Sequence, residues 1–334
     1  MAGVQGATLA AAVCNAGGLG SLPCAMLTPE AMHTELQALK AATDRPFNVN
    51  FFCHTPPVPN ASREQAWRIA LSPFYAEFGI DPSTVPEGPG RAPFSAEAAA
   101  VLAPFRPAVI SFHFGLPSAD LLAIVKAWGT KILSSATTVE EALWLQDHGV
   151  DAIIAQGLEA GGHRGMFLTD DLTTQLGTFA LTAQIVQAVQ VPVIAAGGIA
   201  DANGVAAAMA LGAAGVQIGT AYLLCHEANT SPLHRAALAS DAARHTALTN
   251  LFTGRPARGI MNRVMHELGP QSPAAPEFPL ATSAIAPLRA QTELRGSGDF
   301  SPLWSGQNAT GCQPIPAAKL TEMLAQGFKA MLNK

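Results

Sequence analysis

One stretch concentrates the residue types that do chemistry: Ala155-Gln156-Gly157-Leu158-Glu159-Ala160-Gly161-Gly162-His163-Arg164-Gly165. An imidazole titrates near neutral pH, so His163 can serve as acid or base. Its glycine neighbours let the backbone approach a ligand closely. Gln156 can both donate and accept, which suits the amide edge of a heterocycle or a structural hydrogen bond. The preceding run, Asp151 to Ala155, is apolar and β-branched at its centre and reads as a short buried strand. His163 then lies just past a strand end, where barrel enzymes present catalytic groups. The competing explanation is a tight surface turn with a solvated His-Arg pair.

Two further strand ends carry glycine. Ala195-Ala196-Gly197-Gly198-Ile199 and Gln217-Ile218-Gly219-Thr220 are successive, and each leads into a helix. As neighbours in a barrel they would turn backbone N–H groups and a helix N-terminus toward one anion, a phosphate site in its usual place. Close helix–strand packing at glycine is the alternative. His113 ends another strand and is a candidate substrate contact or a wall residue. Asn48 and Asn50 alternate along Phe47 to Phe52 and share one face. His54, His148, His226 and His234 have no comparable context and default to surface or core. No His/Asp/Glu set has metal-ligand spacing, so no metal is expected. There is no GxSxG motif and no defensible Ser/His/Asp order.

The elements that must position these residues alternate. Strands are expected at 18–22, 47–52, 108–114, 131–135, 151–155, 191–196 and 215–219, with helices between them. Near-continuous apolar strands imply a parallel sheet covered by helices. Thr28-Pro29-Glu30 starts one helix with a capping hydroxyl, a proline and an acid at the positive dipole end. Thr138-Val139-Glu140-Glu141 matches a capping box for another. Seven strands are one short of a (β/α)8 barrel, and the missing one is expected upstream of Met1. A doubly wound open sheet is the alternative fold. Beyond Ala221 the pattern changes to short helical pieces. They include Leu251 to Gly259 and a proline-rich stretch, Pro270 to Pro279. Residues 1–221 and 287–334 are assigned to the barrel, and 222–286 to a smaller helical domain or lid.

Charged residues make up only 13% of the 334, against roughly 25% in typical soluble domains, which suits a tightly packed α/β enzyme. The formal net charge of −5 argues against nucleic-acid binding. The five cysteines (14, 24, 53, 225 and 312) lack CxxC spacing and read as reduced thiols in a cytoplasmic protein. No apolar run reaches about 18 residues, so no membrane span is expected.

Together, Asn15-Ala16-Gly17-Gly18-Leu19-Gly20, Pro46 to Asn50, Ser111-Phe112-His113-Phe114-Gly115, Gln156 to Gly165, Ala196-Gly197-Gly198-Ile199 and Leu303-Trp304-Ser305-Gly306-Gln307 resemble the nitronate monooxygenase family, formerly called 2-nitropropane dioxygenase. The Arg after the His is similar to the bacterial class I branch. The resemblance implies an FMN-containing TIM barrel with a smaller helical domain. It implies oxidation of alkyl nitronates, such as propionate 3-nitronate, by O2 to a carbonyl compound and nitrite. It makes His163 the catalytic residue, and places FMN against Asn48 or Asn50, Gln156, Gly161, Gly162, Gly198, Gly219 and Thr220, with Gly197 beside them. The family's first strand ends in a Pro-Met-Ala-Gly-like turn against the flavin, and this sequence begins at that methionine, so Met1 is expected there too. Phe278, Leu280 and Ala286 stand where the class I pattern has tyrosines and a lysine. A monomer or weak homodimer is expected. The rival functions are an NAD(P)H-dependent reductase of quinones or enoyl-acyl-carrier protein on the same scaffold, and a non-catalytic binder of a phosphate ligand.

Overall fold

The computed structural model describes residues 3–58, 60–85 and 91–332. Seven parallel strands form one sheet: β1 (Ser21–Pro23), β2 (Asn48–Phe52), β3 (Val109–His113), β4 (Lys131–Ala136), β5 (Ala152–Gln156), β7 (Val193–Ala196) and β8 (Gly215–Gln217). Each pairs with the next in chain order, so this is the curled α/β, TIM-like arrangement and not a doubly wound sheet whose order reverses. The expected strand at 191–196 begins only at Val193, because Pro192 has no N–H to give the ladder. The five cysteines are free thiols. Among the described residues, no helix is long and apolar enough to cross a membrane.

Local sequence explains the helices. In Pro29–Ala42, Thr28 Oγ1 accepts from Ala31 N at 3.2 Å, and Met32, Leu36 and Leu39 fall on one buried face. Helix Val139–Asp147 departs from the expected capping box. Thr138 Oγ1 accepts from Glu141 N as predicted, but the Glu141 carboxylate does not return to the capping residue. It accepts from Thr137 N and Oγ1 at 2.6 and 2.7 Å, and from Phe167 N and Leu168 N at 2.5 and 3.2 Å. A fully buried carboxylate thereby ties the start of this helix to the loop after His163.

The main core lies between the sheet and its helices. A second core unites Trp67, Leu71, Phe74, Phe252, Met265, Ile285 and Phe300. It joins helix Ala61–Phe78 to helix Ala281–Leu294, and Trp67 Nε1 and Tyr75 OH donate to Ala281 O and Ala284 O. This core therefore recruits residues from well before 222, and its last helix runs through position 287.

Between the two cores lies a small antiparallel sheet of β6 (Gly162–His163), β10 (Ala257–Ile260) and β9 (Thr246–Thr249). Sequence patterning missed all three strands. They are short, and Thr-Ala-Leu-Thr and Ala-Arg-Gly-Ile carry no apolar alternation. In this sheet Ala257 pairs with His163 and Arg258 with Gly162.

Candidate active site

Seven parallel strands put their C-terminal ends on one face, and the central loop folds back over it. Gln156, the last residue of β5, grips that loop with both ends of its amide. Its Oε1 accepts from Gly165 N at 2.7 Å, and its Nε2 donates to His163 O at 2.9 Å. Arg164 is fully buried. Its guanidinium donates to Gln156 O, Gly157 O and Gln175 Oε1 at 2.7, 2.6 and 3.0 Å. Burial lowers its pKa to about 10, with Glu141 and Glu159 opposing, so it stays cationic at neutral pH. The solvated His-Arg turn is excluded: Arg164 is the internal staple of the loop.

The backbone of His163 is set by β10, and Arg164 N donates to Pro256 O at 2.8 Å. Its side chain meets Thr253, whose Oγ1 lies 2.9 Å from Nε2. Thr253 Oγ1 also donates to Arg255 O at 3.4 Å, which assigns it as acceptor from the imidazole and leaves the lone pair on Nδ1. Phe52, Phe114, Phe278 and Trp304 surround the ring at centroid distances of 6.1, 6.0, 5.3 and 5.6 Å. Burial holds the His163 pKa well below its ordinary value, reinforced by positive charge from Arg91 and Arg255. His163 is therefore neutral at pH 7, the state a general base needs.

His113 stands directly behind. Its Nε2 donates to His163 O at 3.1 Å, and its Nδ1 accepts from Ser135 Oγ at 3.0 Å. Burial pushes its pKa down to about 3. Both ring nitrogens are engaged within the protein, so its polar contacts support the His163 backbone.

Asn48 and Asn50 lie along β2. Asn48 Nδ2 donates to Ser21 Oγ and Ser111 Oγ at 2.7 and 2.8 Å, while its buried Oδ1 has no partner. Asn50 Nδ2 donates to Ser111 Oγ and O at 2.9 and 3.1 Å. Asn50 is two residues nearer the strand's C-terminal end than Asn48. Met1 lies outside the described residues.

The glycine-ended strands β7 and β8 are adjacent, as expected. Gly197 and Gly198 have φ of +122° and +70°, which only glycine adopts readily. Among the described residues, the backbone N–H groups of Gly197, Gly198, Gly219 and Thr220 have no protein acceptor. The segment after Leu303 closes this end: Gly306 N donates to Thr220 Oγ1, Asn308 Nδ2 to Gly198 O, and Gln307 N to Glu159 O, at 2.9, 3.0 and 2.9 Å. A Cβ on Gly161 would stand 2.5 Å from Gly306 N, so Gly161 admits this closure and Gly162, at φ +74°, turns the chain toward His163. Free N–H groups that could donate to a phosphate and an unpartnered Asn48 Oδ1 that could accept from a ring N–H fit a phosphate-bearing ring cofactor.

Four participants escaped the sequence reading. Thr253 and Arg255 lay in a stretch assigned only to the lid. Arg91 lies in a stretch between two expected strands that offered no motif, and His54 had been assigned to surface or core by default. The structure gathers all four around the aromatic ring cluster beside His163. His54 is buried, with its ring 4.8 Å from that of Phe278.

Comparison with known proteins identifies the family of the chain. The family model for nitronate monooxygenase matches residues 1–327. A nitronate monooxygenase of Paraburkholderia phytofirmans is 43% identical, over 100% of this chain and 92% of its own length. One from Pseudomonas aeruginosa is 40% identical, over 98% and 94%. Among solved structures, nitroalkane oxidase from Streptomyces ansochromogenes superposes with a TM-score of 0.90 at 37% identity, covering 100% of this chain and 95% of that one. With near-complete coverage at these identities, the chain belongs to the nitronate monooxygenase family of flavin-dependent oxidoreductases.

Proposed function

We propose that this protein is an FMN-dependent nitronate monooxygenase, oxidising alkyl nitronates with O2 to a carbonyl compound and nitrite. The carrying observation is His163, buried and neutral, fixed by Thr253 and set over the cofactor end of the sheet. FMN, when bound, supplies the electron transfer to O2. Asn48, Asn50, Gln156, Gly161 and Gly162 would hold its ring and ribityl chain, with Met1 beside them. Gly197, Gly198, Gly219 and Thr220 would take the phosphate through their free N–H groups.

His163 has two tasks. Toward a nitronate, its imidazole orients the anion within the aromatic walls. Toward a neutral nitroalkane, its Nδ1 removes the α-proton. His113 and Gln156 hold the His163 carbonyl so that the ring stays in place. Residues 222–286, together with helix Ala61–Phe78 and the rest of helix Ala281–Leu294 that share their core, act as a lid domain. The enzyme works in the cytoplasm as a monomer or weak homodimer.

The test is oxygen uptake and nitrite release by FMN-loaded protein given propionate 3-nitronate in air. Turnover without NAD(P)H is expected. His163→Asn should lower turnover of the neutral nitroalkane by about 100-fold or more. Undiminished turnover there would sink the base assignment. Flavin bleached by NADH or NADPH under anaerobic conditions, with no nitronate turnover, would identify a reductase instead.

A further inference from the structure

Residues 303–308 lie outside every helix and strand, yet they touch both ends of the site. Their first half runs along β10 on the edge that β6 also uses. Ile260 N donates to Leu303 O at 2.8 Å, Ser305 N donates to Arg258 O at 3.3 Å, and Trp304 bridges Gly259. A Cβ on Gly259 would stand 3.0 Å from Leu303 O and 3.1 Å from the Trp304 ring, so glycine admits this approach. His234 Nε2 donates to Trp304 O at 3.1 Å. The indole is thereby set 5.6 Å from the His163 ring and 5.5 Å from that of Phe252.

The second half is supported differently. Ser305, Gly306, Gln307 and Asn308 offer no apolar side chain to anchor it. Its hydrogen bonds run to the phosphate end instead: Gly306 N to Thr220 Oγ1, Asn308 Nδ2 to Gly198 O and Gln307 N to Glu159 O. Gly198 and Thr220 therefore face two ways. Their oxygen atoms hold this segment, while their backbone N–H groups have no acceptor among the described residues. Because Thr220 Oγ1 accepts from Gly306, its own proton is left for a phosphate oxygen.

An anion held by those N–H groups fixes the backbone of both residues and turns the Thr220 lone pairs toward Gly306, and hydrogen bonds linked in this way strengthen one another. Only Ser305 separates Gly306 from Trp304. We propose that Trp304 is a positioning residue for His163, and that residues 303–308 transmit filling of the phosphate cradle to the imidazole. The phosphate then promotes proton abstraction as well as anchoring the cofactor. This inference rests on the FMN-dependent nitronate reading above for its ligand and its substrates.

The test compares protein loaded with FMN against protein loaded with riboflavin, which lacks the phosphate. Amide hydrogen exchange at Gly306 and Gln307 should be about fivefold slower with FMN, the protection given by one added hydrogen bond. The ratio of kcat on a neutral nitroalkane to kcat on its nitronate should fall by a similar factor with riboflavin, because only the neutral substrate needs His163 as a base. Each ratio is taken on one preparation, so incomplete loading cancels. Trp304→Ala should hold the ratio at the lower value with either flavin, and Trp304→Phe should return part of it. With FMN bound, Thr220→Val should lower both the ratio and the protection of Gly306, and Thr220→Ser should keep both. That pair supplies the readout if riboflavin fails to bind or a Trp304 variant fails to fold. Equal exchange at Gly306 in the two flavin forms, or in Thr220→Val and wild type, or a ratio unmoved by Trp304→Ala, would overturn the coupling while leaving the nitronate reading intact. An FMN form that oxidises neither substrate, yet shows the exchange difference, would overturn the nitronate reading and keep the coupling.

Discussion

Glu141→Gln should loosen the floor of the active site. The wild-type carboxylate is fully buried and accepts from four donors on two segments, Thr137 and Phe167–Leu168. A glutamine amide is nearly the same size but has only one acceptor oxygen. Its NH2 would face either the Thr137 pair or the N–H groups of Phe167 and Leu168, donor against donor. Each orphaned buried donor costs about 1–3 kcal/mol, so the substitution should destabilise the fold by about 2–4 kcal/mol. At about 2.1 cal/mol/K of unfolding entropy per residue, that lowers the Tm of a 334-residue chain by about 3–6 °C.

The same change should reach the chemistry. Met166, beside the tethered segment, accepts from Arg255, and Gly165 donates to Gln156. Displacing this run shifts the supports of both His163 and Arg255, and a misplacement of about 1 Å can cost 100-fold in rate. The assay is a thermal melt at saturating FMN together with nitronate-dependent oxygen uptake. Glu141→Ala, which removes both acceptor oxygens, should be the worse of the two. A Glu141→Gln melt within about 1 °C of wild type, with activity retained, would refute the claim that this carboxylate ties down the loop.

Thr253→Val should remove the group that fixes the His163 tautomer; loss of one hydrogen bond of about 1 kcal/mol predicts a roughly fivefold drop on a neutral nitroalkane and a smaller one on its nitronate. Thr253→Ser should restore the difference, and an equal drop on both substrates would make Thr253 merely structural. Stability should fall on acidification: the unfolded chain protonates its histidines near pH 6.5, whereas His113 stays neutral down to about 3 and His163 is likewise depressed. The unfolded state thus binds more protons below pH 6.5, so His113 removes about 1.6 kcal/mol between pH 6.5 and 5, and His163 acts in the same direction. Urea midpoints at pH 7.5, 6 and 5 would check this. A flat profile would mean that the histidines charge within the fold.

The main sheet was legible because parallel strands are buried on both faces, so their sequences are apolar runs that need no knowledge of a partner. Ala152–Gln156 is buried at every position and stood out for that reason. Glycine-ended strands and a histidine on a glycine loop are equally local signals, and the family resemblance rested on them. What tertiary structure alone decided is how that histidine is held. Thr253 lies 90 residues from His163, and Arg258 100 from Leu158, to whose carbonyl it donates. Neither contact leaves a periodicity in the chain. Strand β6 exists only because β10 pairs with it, and Glu141 looks like a helix-capping residue until the fold brings Phe167 to it. Local patterning records what each segment buries, whereas the partner of a polar group is chosen by the packing that brings distant segments together, so the scaffold could be read from the sequence and the polar network that arms it could not.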